Sequence, residues 1–237
     1  MASIILVRHS RSTANTAGVL AGQAPGISLD ETGFAQAEGL IDRIGDVLIS
    51  RVISSPLQRC IETISPWQKK YGKSKIEIDE SFIESDYGSW TGQKLNELAK
   101  EPLWKEVQKE PSSVTFPEGE SFKAMFARVS TGLDSIIKTL AENDNVIVVS
   151  HGDIIKLAIA KILDLPIDNF QKLVIDPASI SIVKVENSED SEDSEDTEHS
   201  KRTALISMNE SGTPLSKLLE NKELAGLGGG KGDGGGA

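Results

Sequence analysis

Two short apolar runs in this chain each end on a histidine. Ile4-Ile5-Leu6-Val7 is followed by Arg8-His9, and Asn145-Val146-Ile147-Val148-Val149 by Ser150-His151. Runs this short, aliphatic and rich in β-branched residues read as buried strands. An α/β sheet has its ligand crevice at the carboxyl ends of its strands, so Arg8 and both imidazoles are expected there. The chain has three histidines, and a packing role would not require two of them to share one setting. The third, His199, lies in an acidic tract.

The rest of the pattern alternates strands with helices. Asp30 is placed to N-cap a helix whose apolar positions Phe34, Ala37, Leu40, Ile41 and Ile44 follow helical spacing. Arg51-Val52-Ile53 reads as a strand running into Ser54-Ser55-Pro56. A proline in a first helical turn is well tolerated, which predicts a helix there carrying Arg59. Ile76-Glu77-Ile78 is a further short strand. Helices are expected over 93–109, 120–142 and 153–163, and final strands over 179–185 and 203–208. Loops are expected over 10–29, 82–92 and 111–119. This alternation predicts an α/β fold with a largely parallel sheet.

A chain of 237 residues can build one sizeable core. A single domain is expected over 1–210, with an acidic hairpin insertion at 186–202 and a flexible glycine-rich tail at 211–237. Eight acids between Glu186 and Glu198 account for most of the net charge of −11, leaving −3 for the rest. The acidity is therefore local. It gives no general electrostatic footprint for nucleic acid, yet is compatible with a small basic pocket for an anion. Acids mixed with Ser and Thr cannot form a core, so the tract is expected to be disordered. Ser191 and Ser194 precede acids in the pattern of an acidophilic kinase substrate; a solvated insertion without a task is the plainer reading.

Cys60 is the single cysteine, so no intrachain disulfide is expected, which fits a reducing compartment. The best apolar stretch, 154–165, is interrupted by Lys156 and Lys161, so no membrane span is expected. No basic segment followed by an apolar one is seen at the N-terminus, and a cytoplasmic location is expected.

In a parallel sheet the strand ends share one edge, so Arg8, His9, Arg59 and His151 are expected to converge. Two guanidinium forks, two imidazoles and nearby helix N-termini suit a phosphoryl group. The plainer alternative pairs each arginine with a carboxylate and leaves the histidines structural. It is weaker for all four residues together than for any one.

Four segments carry a family resemblance. Leu6-Val7-Arg8-His9-Ser10-Arg11-Ser12-Thr13-Ala14-Asn15 is similar to a Leu-Val-Arg-His-Gly block with a later Ser or Thr and an Asn. Ser54-Ser55-Pro56-Leu57-Gln58-Arg59 matches a Ser-Ser-Pro-Leu-x-Arg segment. Glu84-Ser85-Asp86-Tyr87-Gly88-Ser89-Trp90-Thr91-Gly92 matches Glu-x-x-aromatic-Gly-x-x-x-Gly, and Val148-Val149-Ser150-His151-Gly152 a second histidine block. In this order they resemble the histidine phosphatase superfamily, the phosphoglycerate-mutase-like group, over about residues 3–185. The resemblance implies a three-layer α/β/α architecture with a mostly parallel central sheet. It also implies a small phosphorylated substrate and neither metal nor cofactor.

Roles follow from the resemblance. His9 would be the nucleophile that takes the phosphoryl group, which requires its other ring nitrogen to donate to a carbonyl or similar acceptor. Arg8, Arg59 and His151 would bind phosphoryl oxygens, and Asn15 would add a neutral donor. Gln23, after Gly22, falls where the family often has a phosphate-loop residue. Glu84 would protonate the leaving alkoxide and later activate water, with its pKa raised; the plainer role is a loop carboxylate capping a backbone N–H. Trp90 and Cys60 read as packing residues.

Two positions depart from the pattern. Ser10 stands where the family has glycine, which permits backbone shapes that serine does not. The mutase branch typically has an arginine directly after the acid-block Glu and an Arg-Arg pair downstream. Here Ser85-Asp86 follows Glu84, no arginine lies between Leu103 and Glu118, and Asp86 is expected to repel a substrate carboxylate. The expected activity is therefore a metal-independent phosphatase acting through a phosphohistidine. Mutase-type phosphoryl transfer and a non-catalytic phospholigand-binding module are the alternatives.

Overall fold

Strand β1 (Ala2–Arg8) and strand β4 (Asn145–Ser150) have the apolar interiors Ile4–Val7 and Val146–Val149 because they lie side by side at the middle of a sheet covered on both faces. The computed structural model describes residues 1–187 and 201–219. Among these, six strands form one sheet in the order β3-β2-β4-β1-β5-β6, where β2 is Arg51–Ser54, β3 Ile76–Ile78, β5 Ile180–Asn187 and β6 Lys201–Glu210. The first four strands of that order are parallel; β5 pairs antiparallel with β1, and β6 pairs antiparallel with β5. The register sets Arg8 opposite Ser150 and Ser54 opposite Val149. Three parallel strands thus finish at one edge, as a site built from strand ends requires.

Alternate residues of the strands feed two cores. Ile4, Leu6, Val146, Val148 and Val183 pack on the side of α6 (Phe122–Thr139) and α7 (Gly152–Ile162). Ile5, Val7, Ile147, Val149 and Ile182 pack on the side of α2 (Glu31–Ile44) and α3 (Gln58–Tyr71). The architecture is a three-layer α/β/α sandwich. Asp30 caps α2 by accepting from the Gly33 N–H at 2.7 Å, and Ala37, Leu40 and Ile44 form its buried stripe. Ser121 caps α6 in the same way through Ala124 N–H, and Met125, Val129, Leu133 and Ile136 face the core.

Several expectations change. Phe34, placed on the apolar stripe of α2, is 47% exposed. The expected loop 10–29 contains a short helix, α1 (Thr13–Ala17), closed by a reciprocal Ser12–Asn15 capping box and ended by Gly18 at φ 62. The single helix expected over 93–109 is two, α4 (Leu95–Leu98) and α5 (Pro102–Lys109). Glu101 precedes a proline, which disfavours helical backbone there (φ −68, ψ 139), while Pro102 starts the next helix without loss. The expected domain end at 210 falls short: α8 (Leu215–Leu219) buries Leu215 and Leu218 against the α2–α3 side of the sheet. β5 and β6 pair out to Asn187 opposite Lys201, reaching into the span expected as an insertion. The acidic tract itself, 188–200, with His199, Ser191 and Ser194, and the tail from 220 lie outside the described residues. No helix among the described residues is long and apolar enough to cross a membrane.

Candidate active site

The end of β1 delivers Arg8 and His9, the end of β4 delivers His151 as the N-cap residue of α7, and the start of α3 delivers Arg59. A backbone bond from His9 N–H to Ser150 carbonyl (2.8 Å) ties the two histidine segments together. The imidazoles meet edge to face with ring centroids 5.2 Å apart. Glu84 comes from the segment between the 3-10 turns Glu80–Phe82 and Gly88–Trp90. Arg8, His9, Asn15, Arg59 and Glu84 line a cleft of about 420 Å3; His151 is fully buried just behind it.

The Nδ1 of His9 lies 2.7 Å from the Ser10 carbonyl oxygen. That acceptor holds the proton on Nδ1 and leaves Nε2 as the nitrogen with a free lone pair. Burial, then the charges of Arg59 and Arg8, push the His9 pKa down to about 3, so the ring is neutral over the working pH range. The same causes, burial first, hold His151 well below its ordinary value. Its Nε2 lies 2.8 Å from Ser55 Oγ.

Neither arginine of the site is neutralised. Arg8 Nη1 donates to the Ile175 carbonyl (2.5 Å) and Arg59 Nη2 to the Gly22 carbonyl (2.9 Å), and the Nε of each is buried without a partner. Among the described residues no carboxylate lies within ion-pair distance of either. Two guanidinium groups held by carbonyls, with donors unspent, have the charge and the fork of donors that suit a dianion. Gly22 is required at its place: its φ is +49, and a Cβ there would lie 2.9 Å from Thr91 Oγ1. No group of three His, Cys, Asp or Glu among the described residues is arranged to hold a metal ion.

Burial, then the charge of Asp153, raises the Glu84 pKa to about 7 against the opposing pull of Arg59. The segment carrying it is held from behind by Arg128 of α6. That guanidinium donates to the carbonyls of Ser81 (3.0 Å), Ile83 (2.8 Å) and Glu84 (3.3 Å) and pairs with Glu120 at 2.7 Å. Glu120 in turn accepts from the Asp86 N–H at 3.0 Å.

The other expected residues have distinct fates. Asn15 lines the cleft, but its Oδ1 accepts from Ser12 in the α1 cap, so only its amide NH2 is uncommitted by that cap. Gln23 donates from Nε2 to the Glu84 carbonyl at 2.9 Å and is not part of the cleft wall. Asp86 is exposed and caps the Gly88 N–H; the carboxylate in the wall near Glu84 is Asp153, which accepts from Tyr87 Oη at 3.0 Å. Asp86 is therefore not placed to repel a substrate, and the carboxylate that lines the cleft there is Asp153. Cys60 is buried with its thiol pushed up to about 12 by that burial, and Trp90 is buried among Trp104 and Phe116. Sequence reasoning gave no role to Arg128, Asp153, Tyr87, Ser55 or Thr63, although Ser55 and Tyr87 stand inside the matched segments and Asp153 directly follows one. Nothing in the sequence marked Arg128.

The family model for the histidine phosphatase superfamily, branch 1, matches residues 4–194. A bifunctional protein of Mycobacterium tuberculosis is 33% identical over 76% of this chain and 50% of its own; the chain spans about half the length of that relative. A probable phosphoglycerate mutase of Erwinia tasmaniensis is 31% identical over 79% of this chain and 87% of its own. Phosphoserine phosphatase 1 of Hydrogenobacter thermophilus is 30% identical over 78% and 88%. Among solved structures, a mycobacterial glucosyl-3-phosphoglycerate phosphatase superposes with a TM-score of 0.75 at 22% identity, covering 88% of this chain and 99% of that one. That likeness shows the shared fold.

Proposed function

This chain belongs to the histidine phosphatase superfamily, and we propose that it hydrolyses small phosphomonoesters through a phosphohistidine at His9, without a metal. The observation that carries this is the 2.7 Å contact between His9 Nδ1 and the Ser10 carbonyl. It leaves Nε2 unprotonated in a cleft that also holds two unneutralised guanidinium groups and a carboxyl still protonated near neutral pH.

In the first step Nε2 attacks phosphorus as the P–O bond to the leaving alcohol breaks. Glu84 gives its proton to the departing oxygen. Arg8 and Arg59 offset the charge on the equatorial oxygens. Ser55 Oγ accepts from the Leu57 N–H and lies 2.8 Å from His151 Nε2; with the hydroxyl as donor to Nε2, the Nδ1–H of His151 would be the donor on the Glu84 side. In the second step the Glu84 carboxylate takes a proton from water, which attacks phosphorus and releases phosphate and free His9.

Ser10 does not oppose turnover. Its backbone is outside the left-handed region, and its N–H donates to Thr63 Oγ1 at 2.8 Å, with Thr63 Oγ1 donating to the Arg59 carbonyl. Serine thus fits the place where relatives have glycine, and links the nucleophile segment to the arginine helix. This favours an active enzyme over a binding module.

The mutase reading is favoured by one observation, the 31% identity to a probable phosphoglycerate mutase. Against it, a mutase must hold a second anionic group, and the remaining cation of the cleft wall, Lys156, is engaged by Asp153 and Gln171. The test is phosphate release from p-nitrophenyl phosphate by wild type and His9→Ala, with 3-phosphoglycerate isomerisation assayed in parallel. Release abolished by His9→Ala, with a protein-bound phosphate stable to base and lost in acid, is expected. Equal release by both proteins overturns the mechanism, and efficient isomerisation overturns the choice of phosphatase.

A further inference from the structure

We infer that the outer cleft selects phosphomonoesters whose alcohol portion is apolar and carries no second negative charge; this rests on the phosphatase reading of the inner cleft. Two unrelated segments build apolar walls there. On one side, Leu95 N–H donates to the Gly18 carbonyl and Leu20 N–H to the Gln93 carbonyl, both at 2.9 Å, which sets Leu20 beside Leu95. On the other, Leu173 and Val174 follow α7 and its 3-10 turn, and this segment is pinned to the phosphoryl site by the bond from Arg8 to the Ile175 carbonyl. Leu95 is 38% and Val174 59% exposed, and both line the cleft. Apolar side chains left in water on both walls gain when an apolar group covers them.

The charges of the outer cleft point the same way. Once Arg8 and Arg59 are given to the phosphoryl group, the cation remaining in the described wall is Lys156. Its Nζ is 3.4 Å from Asp153 Oδ1, 3.2 Å from Gln171 Oε1 and 5.2 Å over the Phe170 ring. The carboxylates of Asp153 and Asp176 also belong to this wall. A second carboxylate or phosphate on the substrate would have to draw Lys156 from these partners and lie near two like charges. Such juxtaposition is a repulsive element that discriminates against a doubly anionic ligand.

The experiment compares benzylphosphonate with 4-carboxybenzylphosphonate by calorimetry. They share the phosphonate and the ring and differ by one anion, and neither needs turnover. Benzylphosphonate is expected to bind about tenfold more tightly or better. Asp153→Asn narrows the gap several-fold. Leu95→Ala and Val174→Ala weaken benzylphosphonate several-fold more than methylphosphonate. Equal or tighter binding of the carboxylated compound, or a loss in the alanine variants that is the same for methylphosphonate, overturns the inference; so does failure of every phosphonate to bind. Retained phosphonate preference with no phosphate release from benzyl phosphate overturns the phosphatase reading instead.

Discussion

The Glu84 carboxyl lies 3.7 Å from His151 Nδ1, yet the two do not form an ion pair. Burial and the neighbouring arginines keep the imidazole neutral, while burial and Asp153 keep the carboxyl protonated up to a pH of about 7. A protonated acid beside a neutral imidazole is the arrangement a leaving alkoxide needs. It would be lost if this pair exchanged its proton.

Removing that proton has a kinetic signature. For an alkyl phosphate, kcat/KM is expected to fall as pH rises through about 7, and Glu84→Gln to lower kcat by about 10²–10⁴-fold. With p-nitrophenyl phosphate, whose leaving group needs no proton, Glu84→Gln should give a burst of nitrophenolate followed by slow turnover. Rapid-mixing absorbance reads the burst; slow release with no burst would remove Glu84 from the second step.

The same carboxyl has a stability signature. Its folded pKa of about 7 lies above the ordinary 4.5, so the folded state holds the proton more tightly than the unfolded state. Below pH 4.5 nothing is lost; between 4.5 and 7 ionisation increasingly favours unfolding, by up to roughly 3 kcal/mol above pH 7. Glu84→Gln should therefore be stabilised relative to wild type at pH 8 and not at pH 4. Urea unfolding at the two pH values checks this, and an equal gain at both contradicts it.

Arg128 is a positioning residue. Arg128→Ala leaves three carbonyls of the acid segment without their donor and Glu120 unpaired, and should cost about 2–4 kcal/mol. The loss in activity is expected in kcat rather than KM. Arg128→Lys restores the charge but not the fork of donors, so it should recover less of kcat than of stability. Denaturation and steady-state kinetics separate the two; a change confined to KM would place Arg128 in binding.

Ser10 Oγ is buried with no hydrogen-bond partner. Ser10→Gly removes that unsatisfied hydroxyl and adds backbone freedom of about 1 kcal/mol, so stability should change little. The kcat should stay within about threefold, because the backbone at this place does not need glycine. A large rise in kcat would make Ser10 a brake on the reaction.

The end of the domain is testable at Leu215, which is fully buried in α8. Leu215→Ala should cost about 2–5 kcal/mol, measured by thermal or urea unfolding. No loss would return residues after 210 to the role of a dispensable tail.

The strands at Ile4 and Val146 could be read because the signal is local: an apolar run of this length has one economical use. Their terminal Arg8, His9 and His151 could be read with them. The break between α4 and α5 was also local, at Glu101-Pro102, and was overlooked under the helical period of the flanking residues. The burial of Leu215 was not readable, since Leu215 and Leu218 differ from a solvent-facing pair only by what the sheet and α2 present to them. Gln23 and Asp86 sit where a motif would have them line a pocket, and loop geometry turns their side chains to the acid segment and to Gly88.

The sequence by itself determined the order of the strands and of the long helices α2, α3, α6 and α7, and the ionisable residues that close β1 and β4, because side-chain period and chain position are properties of neighbours. Tertiary structure alone decided their protonation. His9 and His151 are neutral and Glu84 is an acid because segments distant in the chain remove water from them. The charges set against them, Arg8, Arg59 and Asp153, come from three different elements. Charge state depends on desolvation and distance in space, and neither is a function of position along the chain.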